Sequence, residues 1–306
     1  MAKRKKLNMG LLVVVGVLLL LGGTLAVVHA VTAQASKGDW EAHLEAGRAS
    51  YKEAEELSGS AKSAKYFAAV KSYRLAFDAC DDPTKEMYLD MAKAYFGLLH
   101  DPKLTSNERR SYWRQVDDNI GKALKLAPDY VDALQLELDK RWLTGVAQGG
   151  TINYVPDYRG FADIATRLIA VEPDNAEAYF RRGIAYERQT VVDSANAVKA
   201  EEDFKKAIEL DPANTAIRIG GLIRFYEINK RPEESEQAHL EGIEANPEDT
   251  DLLRSYARSL FIHGRQKDAM EQLNNAIAIN DQEIETYTTR AQFFTQMTDE
   301  ERQILG

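Results

Sequence analysis

Residues 200–212 read AEEDFKKAIELDP, and residues 268–281 read DAMEQLNNAIAIND. In both stretches small and large apolar residues recur three and four positions apart, the spacing of one helix face, and each run closes on a helix-breaking Asp-Pro or Asn-Asp. The near-duplication implies one structural unit used repeatedly, and a period in this range points to helical hairpins stacked in an array.

Working outward from this pair, the stops recur along the chain. They are Asp81-Asp82-Pro83, Ala127-Pro128, Glu172-Pro173, Asp211-Pro212, Asn246-Pro247 and Asn280-Asp281, at intervals of 45, 45, 39, 35 and 34 residues. Proline cannot continue a helix and disfavours helical geometry in the residue before it, so each stop ends the second helix of a pair. From residue 40 onward the chain therefore reads as consecutive helix pairs.

The pattern resembles the tetratricopeptide repeat, a 34-residue helix–turn–helix unit with small and large residues at fixed places. The clearest match runs from Ala176 to Pro212, where Tyr179, Gly183, Tyr186, Ala200, Phe204, Ala207 and Pro212 fall on signature positions around a five-residue insertion. The repeat from Thr250 needs no insertion and matches with Leu253, Tyr256, Ala257, Leu260, Ala269, Leu273 and Ala276. The repeat from Ala216 keeps Ile219, Leu222 and Tyr226 but places Ser235, His239 and Gly242 where alanines or an aromatic are usual. Tyr88, Met91, Ala92 and Tyr95 with Val116, Ile120 and Ala123 form another repeat, preceded by Leu44, Gly47, Tyr51, Ala69, Tyr73 and Ala76. Leu134, Leu138 and Trp142 keep an apolar stripe in the third, and Ile284, Tyr287, Ala291 and Phe294 open a seventh first helix.

The resemblance covers residues 40–297 and implies an all-α fold, a right-handed α-solenoid of about six helix pairs plus a terminal helix. Residues 298–306 then form a cap or tail. Packing selects the signature positions: a small residue lets two helices approach, and a large one on the facing helix fills the space beside it.

Ahead of the repeats, Met9 to Val28 supply 20 residues without a charge. As a helix rising 1.5 Å per residue this spans about 30 Å, the thickness of a bilayer's hydrocarbon core. The expected organisation is a basic cytoplasmic tail at 1–8, a transmembrane helix at 9–31, a tether at 32–39 and then the repeats. Lys3, Arg4, Lys5 and Lys6 precede the apolar run and only Lys37 follows closely, so the positive-inside bias exports the body. A cleavable signal peptide ending at Ala33-Gln34-Ala35 places the body in the same compartment. That location is expected to be the bacterial periplasm or envelope.

Beyond position 35 the remaining 35 basic residues face all 48 acidic ones, a net of −13. Nucleic acid and anionic membrane surfaces would repel such a body. The single cysteine, Cys80, excludes an internal disulfide, and five scattered histidines show no ligand spacing. No metal or cofactor is expected. HExxH, GxSxG and P-loop patterns are missing from the sequence, so an enzyme is the least supported class.

Four insertions fall between first and second helices, at Ser58–Ser63, Leu99–Glu108, Thr144–Tyr158 and Thr190–Ala195, and are expected to project from one edge. Such loops serve as partner contacts or vary freely. The segment TGVAQGGTINYVPDYRG at 144–160 carries Tyr154 and Tyr158 but lacks the lysine of a phosphate loop. Among groove-facing residues of the first helices, Arg188, Arg224, Arg254 and Arg258 are candidate partner contacts, since arginine captures carboxylates bidentately. Pairing with Glu227, Asp251 and neighbouring acids is the plainer reading. The chaperone-tail clamp of the resembled family needs asparagine and lysines where Ile184, Arg224 and Arg258 stand, so that activity is not expected. Tyr112, Trp113, Trp142 and Phe161 read as inter-helix core.

These features imply a membrane-anchored scaffold that binds protein partners, including acidic peptide segments or other membrane proteins, to assemble an envelope complex. A self-associating subunit, a homo-oligomer in the envelope, is the first alternative. An organelle import-receptor-like protein with a cytosolic body is the second.

Overall fold

The computed structural model describes residues 39–145, 157–190 and 194–305, divided into two compact units between Leu136 and Glu137. The predicted tail, the 9–31 anchor, nearly all of the tether and Tyr154 lie outside the described residues. Among the described residues there is no strand, and no helix is long and apolar enough to cross a membrane.

The first unit contains α1 (Trp40–Glu55), α2 (Gly59–Ala79), α3 (Lys85–Leu98), α4 (Ser106–Leu126) and the opening turns of α5 (Val131–Gly145). α1 packs on α2, α2 on α3 and α3 on α4, as consecutive hairpins require. Tyr73, Met87, Leu89, Tyr95, Leu98 and Ile120 are fully buried among them. Close approach of α1 to α2 depends on Gly47, where an added Cβ would fall 2.4 Å from the Tyr73 ring. Gly97 of α3 repeats the device, its missing Cβ lying 2.5 Å from the Tyr66 ring of α2.

The second unit continues with α6 (Tyr158–Val171), α7 (Ala176–Gln189), α8 (Ala195–Leu210), α9 (Thr215–Ile228), α10 (Pro232–Ala245), α11 (Thr250–Ile262), α12 (Gln266–Ile279), α13 (Ile284–Gln296) and α14 (Asp299–Leu305). Phe180, Phe204 and Phe225 form an aromatic chain through α7, α8 and α9, with centroids 5.8 and 6.0 Å apart. Farther along, Tyr256, Leu260, Leu273 and Phe293 are buried together, and Phe261 stacks on Phe293 at 4.0 Å. Arg302 of the short α14 donates to the carbonyls of Phe294 at 3.0 Å and Met297 at 2.8 Å, covering the open end of α13.

The expected stops coincide with helix ends. Ala127, Glu172, Asp211 and Asn246, each followed by proline, have φ between −142° and −129° and positive ψ. Asn280 adopts φ −138° and ψ 99° with aspartate after it, so the turn geometry persists without the proline.

One of the expected loop insertions is largely helix instead. α2 and α4 reach 21 residues each, against 14 in α10 and α12; Ser58–Ser63 is helical from Gly59 on and extends α2 backwards, whereas of Leu99–Glu108 only the last three residues are helical and 99–105 form the connection to α4. A capping box fixes the start of α4: the Glu108 amide donates to Thr105 Oγ1 at 3.3 Å while the Thr105 amide donates to Glu108 Oε2 at 2.9 Å.

Candidate functional site

In the second unit arginines join α5 to α7, α7 to α9 and α11 to α13, first helix to first helix. Arg181 of α7 reaches Asp139 of α5 at 2.5 Å, and Arg218 of α9 reaches Glu177 of α7 at 3.1 Å. Arg224 of α9 bonds Glu187 of α7 at 2.7 Å, where the carboxylate is buried. Arg254 of α11 bonds Glu283, at the start of α13, at 2.7 Å and also pairs with Asp251. Arg258 donates to Thr289 of α13 at 3.2 Å. Burial alone would lower the Arg254 pKa, but Glu283 and Asp251 together raise it above its ordinary value. Arg224, Arg254 and Arg258 thus carry intramolecular partners, while Arg188 is exposed on α7. Tyr158 opens α6, where its carbonyl accepts from the Gln189 side chain at 3.2 Å.

A second ladder, missed from the sequence, ties the second helices. Arg231, just ahead of α10, bonds Glu201 of α8 at 2.5 Å, and the Tyr226 hydroxyl donates to the same carboxylate at 3.0 Å. One repeat on, Arg265 bonds Glu236 of α10 at 2.5 Å and the Tyr256 hydroxyl donates to it at 2.8 Å. Burial would raise the Glu201 pKa, but hydrogen bonds from Arg231, Lys205 and Tyr226 bring it down to about 2. The signal was present: Arg231 and Arg265 each precede an acid by three residues, Glu234 and Asp268, at the start of a second helix.

In the first unit a groove of about 450 Å³ opens between α2 and α4 with α3 as its floor. Phe67, Val70, Lys71, Arg74 and Leu75 of α2, Tyr95 and Leu98 of α3, and Tyr112 of α4 line it. α2 is apolar on two sides: Tyr66, Ala69, Tyr73 and Ala76 face the core, whereas Phe67 and Leu75 are each 44% exposed. Arg74 donates to the Tyr95 hydroxyl at 2.6 Å, and Tyr112 lies 5.6 Å from the Tyr95 ring and 6.1 Å from Phe67. Tyr112 therefore walls an open groove rather than sitting wholly in the inter-helix core. Trp113 packs on Phe96, and Trp142 on Phe161, between helices.

Among the described residues no cluster of His, Cys, Asp or Glu could hold a metal ion. No protein-family model matches the sequence. Solved structures do resemble the chain. A tetratricopeptide repeat protein from Parabacteroides merdae superposes with a TM-score of 0.53 at 15% identity, covering 81% of this chain and 86% of that one. The chain folds as a tetratricopeptide-repeat protein. Yeast Tom70 gives a TM-score of 0.52 at 17% identity over 86% of this chain, which spans 50% of Tom70. Pseudomonas aeruginosa pilF gives 0.50 at 10% identity, over 86% of this chain and all of pilF. At these identities the likeness is one of fold.

Proposed function

We propose that this tetratricopeptide-repeat protein is a membrane-anchored scaffold, its repeat body outside the cytoplasm, that holds protein partners in an envelope complex and breaks no bond. The observation that carries this reading is where the charged side chains go. Asp139, Glu177 and Glu187 are tied by arginines to the next first helix, and Glu201 and Glu236 to the next second helix. Each is engaged with the neighbouring repeat, none converging on one point as catalytic acids and bases would. Such a framework presents a preorganised surface, which lowers the ordering cost of binding a macromolecule.

The uncharged run at Met9–Val28 with four cations ahead of it supports the anchor and its orientation. Protease added to intact cells should leave the body uncut. Opening the outer barrier while keeping the inner membrane whole should expose it. Protection that persists in spheroplasts would put the body in the cytosol and overturn the orientation.

A further inference from the structure

We infer that the groove between α2 and α4 is a docking site for an acidic amphipathic helix of a partner protein. This deepens the scaffold reading and rests on it. The stripe Phe67, Lys71, Arg74, Leu75 follows helical spacing along α2, and its outer members, eight residues apart, span about 12 Å, roughly two helical turns. Phe67 and Leu75 stand exposed at the two ends, with the buried Tyr95 and Leu98 beneath. A helix laid over α3 between α2 and α4 would cover this apolar strip, the helix-in-groove mode of recognition.

Charge selects the occupant. Lys71 and Arg74 are exposed at the rim and form no ion pair with a carboxylate among the described residues, although the body as a whole is strongly acidic. Arg74 uses one Nη2 donor on the Tyr95 hydroxyl, leaving its remaining fork for an incoming carboxylate. Among the described residues no acid lines the groove: Glu108 caps α4 and Asp101 accepts from the Lys103 amide at 2.8 Å, both outside its lining. Net repulsion from the acidic body is screened beyond about 8 Å at physiological salt, so the local cations govern the contact.

The test uses full-length protein in mild detergent and a fluorescein-labelled synthetic helical peptide with Leu and Phe along one face and Glu on both flanks. Binding is read by anisotropy beside a matched peptide in which Lys replaces every Glu. The acidic peptide should bind saturably, weaken as salt is raised, and lose about tenfold in affinity with Lys71→Gln/Arg74→Gln. Both substitutions sit on exposed positions of α2, and an unchanged melting temperature separates lost binding from lost folding. Phe67→Ala, also exposed, should weaken the acidic peptide without changing its salt dependence. Equal binding of the Lys peptide, or an affinity untouched by all three substitutions, overturns the proposal. So does self-association of the protein that Phe67→Ala abolishes, since the occupant would then be a second copy. Failure here leaves the protease result standing, so the two readings fall separately.

Discussion

His239 shows what a single residue can do inside a repeat. It occupies the position that Phe204 fills one repeat earlier, and it is fully buried against Tyr256, with ring centroids 5.2 Å apart. Its Nδ1–H donates to the Ser235 carbonyl at 2.8 Å, which fixes the tautomer and leaves Nε2 to accept from the Ser255 hydroxyl at 3.2 Å. Burial lowers its pKa from 6.5 to about 4, with the Ser235 carbonyl and Glu236 only partly opposing. The folded protein then binds fewer protons than the unfolded chain between these values, so stability is full above pH 6.5 and falls as pH drops towards 4. The loss amounts to about 3 kcal/mol. His239→Phe, restoring the aromatic, should flatten this part of a melting-temperature profile relative to wild type; an unchanged slope would show that His239 is not buried neutral. Lys230 offers a second residue-scale case. It holds φ 56° at the turn into α10, where the next repeat uses Gly264 at φ 77°. In both turns the chain closes a Schellman pair, with Arg231 N donating to Tyr226 O and Arg265 N to Leu260 O, each at 2.9 Å. Lys230→Gly removes left-handed strain but loosens the unfolded chain, for a net gain of about 0.5–1 kcal/mol in urea denaturation; a loss would contradict the strain.

At the scale of elements, helix ends and facing residues were largely written in the sequence. A proline disfavours helical geometry in the residue before it, and α4, α6, α8 and α10 end at Leu126, Val171, Leu210 and Ala245, next to their stops. Gly47 and Tyr73 were likewise legible as small and large signature positions of the first repeat, and the structure sets them against each other. Gly47→Ala would drive a Cβ into the Tyr73 ring and should cost about 1–3 kcal/mol by forcing α1 and α2 apart. A neutral result would mean these helices do not meet at that point. The helical state of Ser58–Ser63 was not legible, because an insertion's size does not say whether it adds loop or helix. The Thr105 and Glu108 pair held that answer for α4. Pairing partners were harder to read: Arg224 binds an acid 37 positions earlier and Arg254 one 29 positions later, distances set by stacking rather than by local spacing.

For the molecule as a whole, the chain reads as a repeat body whose polar ladders stabilise its own stacking and whose apolar surplus is left for others. The first part was visible in the periodic signature. The groove was not, because Phe67 and Leu75 continue an ordinary helical pattern, and only the placement of α4 beside α2 shows that their side of the helix stays open. The central claim is that the protein acts by holding a partner. The most direct measurement is quantitative mass spectrometry after cross-linking intact cells and capturing the full-length protein from solubilised membranes, in wild type and in Lys71→Gln/Arg74→Gln. The account predicts a partner recovered in comparable molar amount with wild type and depleted with the variant. Recovery of wild type alone, as a monomer with nothing above background, would contradict it.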